Sequence, residues 1–384
     1  MMSKILREVD WILIVSILML TFFGIITMKS FGGESGPLAG GDYFFNRQIL
    51  WLALGFLVFV ISLSIDWNFL KTNSIFLLIL YGIVLLLLLF LFLAGHVSRG
   101  ALSWYKIHSV GVEPVELMKP ILVLVLAKYF SKRHAEIGRI FHLLVSGMYA
   151  VLPAVFVMLQ PALGSATILL FLWLGMALFG GIKFKHLFFL MILGVIVAFS
   201  FWHFFLLPYQ KQRIISFINP QHDIQGSGYH AIQSTVAIGS GGIFGKGLGF
   251  GTQSRLEFLP EHQTDFIFAA FAEEWGLIGV IMIFLFFGMA IWRIVLSGIY
   301  AESNFEKLYS AGLSILLFSQ AMIHIGMNAG LLPITGLGMP FVSYGGSSLI
   351  SLFLAVGISQ SFYIHRKGIF IGTEERYQEG VFGA

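Results

Sequence analysis

From Ile75 to Ala94 the chain reads IFLLILYGIVLLLLLFLFLA, without one charged or amide side chain. A run of about 20 apolar residues matches the hydrocarbon thickness of a bilayer, and a helix is the form in which such a segment leaves no backbone group unpaired in lipid. This run therefore fixes the solvent in which the chain folds. Comparable runs occur at Trp11–Met28, Ile49–Ile65, Phe141–Leu159, Leu187–Leu207, Leu277–Trp292, Ala311–Met327 and Leu349–Ile364. Two shorter ones, Leu117–Phe130 and Thr167–Gly180, have nothing soluble around them. Counting both, the expected fold is an all-α integral membrane protein of about ten transmembrane helices, a single polytopic domain over residues 1–384. Charged residues make up 11% of the chain, against about 25% in soluble domains. The net charge of +4 is small and dispersed, which argues against a nucleic-acid partner. The absence of cysteine excludes disulfides, thiolate metal sites and cysteine nucleophiles.

An even number of spans puts both termini on one side. The short basic connections KYFSKRHAEIGR and GIKFKH assign that side to the cytoplasm. The first apolar run is long enough to span and is followed by no A-x-A-like site, so it is expected to stay as a start-anchored helix. Residues 368–384 are expected to form a short cytoplasmic tail. The longest connection, residues 208–265 between the seventh and eighth helices, then falls outside. It is rich in glycine, yet Ile, Val, Phe, Leu and Tyr recur through it. A structured, partly re-entrant extracellular loop roofing a chamber is expected, since long loops of this kind are commonly functional.

Ionisable side chains at membrane depth are costly and point to function unless they pair. Asp265 stands where the long loop re-enters an apolar helix; an acid there can cap the helix or do chemistry. Glu261 lies close by in PEHQTD, and such a cluster leaves open a divalent cation at Asp265. Glu116 and Lys119, three apart at the start of a short helix, share a face and suit an internal ion pair that shapes a cavity. Glu273 and Glu274 are adjacent, point in different directions and suit structural roles. Arg213 and Lys246 in the external loop are cations of the kind that a pyrophosphate leaving group needs. The glycines of GSGG and GKGLGFG lack the spacing and the Lys-Ser/Thr of a P-loop, so they indicate tight turns against packed helices. His324 and Asn328, one helical turn apart, suit interhelical hydrogen bonds.

Two long stretches, GSGYHAIQSTVAIGSGGIFGKGLGFGTQSRLEFLPEHQTDFIFAAFAEEWGLIG and NAGLLPITGLGMPFVSYGGSS, carry a resemblance. The chain resembles the SEDS family (shape, elongation, division and sporulation) over nearly its whole length. Tyr229-His230 and GKGLGFGTQS are similar to its RodA branch rather than its FtsW branch. The resemblance implies a peptidoglycan glycosyltransferase that polymerises lipid II on the outer face of the bacterial cytoplasmic membrane, paired with a class B penicillin-binding transpeptidase. It makes the Asp of TDFIFA, Asp265, the essential acid. It matches Glu116, Lys119 and Arg213 to positions of its motifs, and with Lys246, Glu261 and Ser343 these are the residues expected around the substrate. The chain departs from the family where Ala162 replaces a common Asp, Ser103 a common Arg, Val115 a common Ser and Gly338 a common Pro.

The implied chemistry is attack of an acceptor sugar 4-hydroxyl on C1 of a donor whose leaving group is undecaprenyl pyrophosphate. The hydroxyl needs a base, which Asp265 would supply. The leaving group needs positive charge, from Arg213, Lys119, Lys246 or a bound Mg or Mn ion; no organic cofactor is expected. The main rival is a lipid II flippase. Transporters of that kind often show matched inverted repeats, and none is evident here.

Overall fold

The computed structural model describes residues 7–31, 40–98, 101–107, 110–133, 140–206, 208–222, 226–256, 258–259 and 261–381. Each expected span falls on a helix. These are α1 (Trp11–Ser30), α2 (Gly40–Ser64), α3 (Ser74–Ala94), α4 (Pro114–Lys132), α5 (Ile140–Leu159), α6 (Leu163–Phe179) and α7 (Phe184–Ser200). After the long loop come α10 (Ile267–Ile299), α11 (Asn304–Asn328) and α12 (Gly346–Val381). Among its described residues the loop itself holds two longer helices, α8 (Pro208–Ile218) and α9 (Ser227–Ser240), with a 3-10 turn at Pro220–His222 and a single helical turn at Thr252–Arg255, so it is structured as expected. Among the described residues, seven helices are long and apolar enough to cross a bilayer on their own. Helices α4, α6 and α7 fall short on length or charge.

Helix α4 shows why that shortfall does not matter. It carries Glu116, Lys119 and Lys128 yet is buried along most of its length, packed by α3, α5, α6, α11 and α12. Its charges face protein rather than lipid, so an apolar exterior is not required of it. Around this central helix, α2 packs along α12, α1 along α10, and α5 along α6. At the end of the bundle where the chain begins, ion pairs tie the helices together. Asp10 accepts from the α1 amide of Leu13 and pairs with Arg293 of α10 at 2.6 Å. Lys71 pairs with Glu306 of α11. Residues 134–139, part of the basic connection KYFSKRHAEIGR, lie outside the described residues, as do residues 1–6, and 382–384 of the expected tail; α12 runs on through Val381.

Two features at the opposite end differ from the expectation or sharpen it. The all-α reading holds for the bundle, but a small antiparallel sheet joins α3 to α4: β1 (His96–Ser98), β2 (Ala101–Ile107) and β3 (Val110–Val112), in the order β1-β2-β3. Tyr105 pairs with Val112 and Lys106 with Gly111. Helix α10 breaks at Gly276, whose φ of 64° suits glycine. The glycine-rich loop fills the break. Gly242 and Ile243 carbonyls accept from the Leu277 and Ile278 amides, and the Lys246 and Gly247 amides donate to Glu273 and Glu274. A Cβ at Gly245 would fall 2.1 Å from the Glu274 carbonyl oxygen. The glycines therefore serve close packing, as their spacing indicated.

Candidate functional site

Asp265 sits on a turn, residues 261–266, immediately before α10. The turn is fixed from three directions. Its own backbone closes it, with the Asp265 amide donating to the Glu261 carbonyl at 3.0 Å; Glu261 takes a left-handed φ of 54° there. The irregular segment before α12 holds it from one side: the Ser343 hydroxyl donates to the Thr264 carbonyl at 2.8 Å, and the Tyr344 amide to the Gln263 carbonyl at 2.9 Å. Helix α11 holds it from the other. Asn328, fully buried, donates from Nδ2 to the Asp265 carbonyl at 2.9 Å and accepts the Ala269 amide at 3.2 Å. One turn down, His324 Nδ1 lies 2.6 Å from the Leu337 carbonyl oxygen. The expected hydrogen-bonding role of His324 and Asn328 is thus observed, and it bears on where Asp265 stands. Asn328→Ala would strand the Ala269 amide and the Asp265 carbonyl. The expected loss is about 1–3 kcal/mol for each group left without a partner, read as a lower melting temperature, with reduced turnover as the turn loosens.

Asp265 lines a cavity of about 850 Å³, at the upper end of the roughly 300–1,000 Å³ usual for ligand sites. The same cavity is lined by Glu116, Arg213, Glu261 and Ser343, so five of the seven candidate residues converge on it. Gly336 borders the carboxylate: a Cβ there would lie 3.6 Å from Asp265 Oδ2. Lys119 lies behind the wall, 1% exposed, and bonds Glu116 Oε1 at 2.5 Å. The pair has the internal geometry expected of it.

Lys246 does not belong to the cavity wall. Its ammonium pairs with Glu273 at 2.7 Å and meets the Thr252 hydroxyl at 2.9 Å. Glu273, fully buried, also accepts from the Gln253 amide, while Glu274 accepts from Ser30 and from the Gly249 amide. Two buried acids thus pin the glycine-rich loop to α10, and Lys246 supplies the charge that one of them requires. The sequence reading put Lys246 at the substrate because its partner lies 27 residues away. Ser343 lines the cavity, but its hydroxyl is engaged with Thr264 and with the Met339 amide at 2.7 Å, so it positions the turn.

The cavity also holds residues that the sequence reading passed over. Glu113 precedes α4 and lines the wall with Glu116. Burial, followed by the Glu116 and Asp265 carboxylates, pushes Glu113 up to about 8, with Lys119 pulling the other way. Arg47 of α2 contributes a second guanidinium beside Trp51, and Trp104 of β2 adds another aromatic. Three of the four departures from the family pattern, Ser103, Ala162 and Gly338, line the same wall. Among the described residues no group of three or more His, Asp or Glu is spaced to hold a metal ion. Among the described lining residues, the guanidinium groups of Arg213 and Arg47 offer positive charge to a ligand.

These features define a polytopic membrane protein whose helices enclose an acid-lined chamber with two guanidinium groups on its wall. The chain belongs to the FtsW/RodA/SpoVE family of cell cycle proteins, whose profile matches residues 10–367. It is 32% identical to the peptidoglycan glycosyltransferase MrdB of Escherichia coli, over 92% of this chain and 93% of that one. Its fold superposes with a TM-score of 0.76 on a chain of a peptidoglycan synthase complex that coordinates polymerization and crosslinking, at 27% identity over 92% of this chain and 97% of that one. It also superposes, with a TM-score of 0.67, on the rod shape determining protein RodA of Thermus thermophilus, at 25% identity over 92% and 96% of the two chains.

Proposed function

We propose that the chamber polymerises lipid II into β-1,4 glycan strands at the outer face of the bacterial cytoplasmic membrane, with Asp265 as general base. The chain is a peptidoglycan glycosyltransferase of its family; the roles of individual residues are our assignment. One observation carries it: a carboxylate and a guanidinium, Asp265 and Arg213, share a cavity large enough for a sugar and a pyrophosphate.

The step is a single displacement. The acceptor 4-hydroxyl gives its proton to the Asp265 carboxylate as its oxygen bonds to C1 of the donor. The C1–oxygen bond to pyrophosphate breaks, and its electron pair leaves with the pyrophosphate. Attack from the face opposite the leaving group inverts C1. A sugar hydroxyl is a poor nucleophile near neutral pH, and a positioned base contributes about 10²–10⁴-fold. The departing charge is met by Arg213, which makes no ion pair with any described residue. A Mg or Mn ion carried in on the pyrophosphate would add to that charge. Lys119 acts at one remove, by bonding Glu116 in the wall.

With the chamber outward, both termini lie in the cytoplasm. The apolar exterior of the bundle contacts membrane lipid, and a class B penicillin-binding protein is the partner that would crosslink the product. The test is to supply purified protein with lipid II in detergent, with and without that partner. Glycan polymer is expected. Lipid II that is bound but never polymerised under either condition contradicts the reading and favours a flippase.

A further inference from the structure

Glu113 occupies the N-cap position of α4, yet its side chain makes no cap hydrogen bond. Glutamate is not among the residues favoured there. Its backbone is held firmly instead. The Glu113 amide donates to Ser347 Oγ at 3.1 Å, at the start of α12, and the β2–β3 pairing ends one residue earlier at Val112. The carboxyl, which makes no hydrogen bond with a described residue, is left on the chamber wall.

The charges around it leave it no room to ionise. Facing it are Glu116 and Lys119 from α4 and Asp265 from the turn before α10. The Lys119 ammonium is already committed to Glu116. Asp265 must be ionised to act as a base. A third negative charge would stand beside it in a cavity that also has to admit a pyrophosphate, and like charges sharing a site cannot all ionise. A carboxylic acid kept neutral in such a place becomes a donor, and an O–H donor to an anionic oxygen makes a short, strong hydrogen bond.

We propose that Glu113 is carried as the undissociated acid and donates a hydrogen bond, without transferring its proton, to a pyrophosphate oxygen of the donor substrate bound beside Asp265. This rests on the function proposed above. It makes Glu113 a substrate-positioning residue: the proton removes a repulsion and supplies a contact at once. The sign of the pH effect follows. Below about 8 the acid is present and the donor exists; above that, the ionised group repels the pyrophosphate and turnover falls.

The test uses the full-length protein in detergent with lipid II, comparing wild type, Glu113→Gln and Glu113→Ala from about pH 6 to about pH 9.5. The Gln amide donates without titrating. Wild type is expected to lose kcat/KM above about 8, roughly tenfold for each further pH unit. Glu113→Gln is expected to stay within about threefold of wild type at neutral pH and to lack that alkaline limb, whereas Glu113→Ala stays about tenfold or more below Glu113→Gln at every pH. A Gln variant that keeps the limb overturns the proposal. So does one that is inactive though as heat-stable as wild type, since transfer of the proton is then required. Equal activity in all three overturns it too. A second readout needs no turnover: the undissociated-carboxyl band that Glu113 contributes at neutral pH, taken from the infrared difference between wild type and Glu113→Gln. Its absence from wild type overturns the proposal. Its presence in a wild type that makes no polymer at any pH places the failure in the proposed reaction instead.

Discussion

Asp265→Asn is expected to reduce glycan polymerisation by about 10²–10⁴-fold while leaving the melting temperature near that of wild type. The two halves of this expectation have separate causes. The amide keeps the size of the side chain but has no useful basicity, so the acceptor hydroxyl keeps its proton as it attacks. The turn that presents position 265 is built from the Asp265 backbone, through the Glu261 and Asn328 contacts, and from Ser343 and Tyr344 across the cleft. The Glu261 and Asn328 contacts run through the backbone of position 265 and stay in place in the variant. A scintillation or gel readout of polymer from radiolabelled lipid II, beside a thermal unfolding curve, separates the two. Near wild-type polymerisation in the variant removes Asp265 from the role of base. A collapsed melting temperature would make the carboxylate structural.

Glu116→Ala has the next largest expected effect, and on stability first. The Lys119 ammonium is 1% exposed and has Glu116 as its bonded acid at 2.5 Å. Removing one member of a buried pair leaves the other charge uncompensated, at about 3–5 kcal/mol. Replacing both by apolar residues of similar volume, as in Glu116→Met with Lys119→Leu, is expected to recover most of that stability, because the buried pair is nearly balanced by its own desolvation. Activity should not return with it, since the Glu116 carboxyl group that lines the cavity with Asp265 is then gone. An unchanged melting temperature with lost turnover in Glu116→Ala would instead assign Glu116 a direct part in the reaction.

The two variants separate what the sequence makes legible from what it hides. The spans were legible because lipid tolerates few alternatives, and even the short charged segment at Leu117–Phe130 was placed correctly. Its burial at the centre of the bundle was not, because a helix with four basic or acidic residues and no clear apolar face does not reveal which neighbours surround it. Asp265 stood out as a lone acid at a loop-to-helix junction, and Glu116–Lys119 as a pair at helical spacing. Lys246 misled for the opposite reason. Its partner Glu273 is brought to it by the fold of the glycine-rich loop across the break at Gly276, a contact that no local pattern encodes. Glu113 was overlooked although it lies only three residues from Glu116. Its position outside the helix hid the fact that the strand before it aims it at the same chamber. The β2 strand carried a weak signal in LSWYKI, whose mixed alternation is short enough to pass for loop.

The central claim is that an acceptor sugar meets Asp265 inside this chamber while the donor pyrophosphate meets Arg213. The most direct test is a structure of the Asp265→Asn protein with lipid II bound. The account predicts a saccharide hydroxyl about 2.6–3.2 Å from the amide at position 265, the reach of a proton-abstracting group, and phosphate oxygens against the Arg213 guanidinium. Sugar and pyrophosphate lodged elsewhere on the protein, with no hydroxyl within reach of position 265, would contradict it.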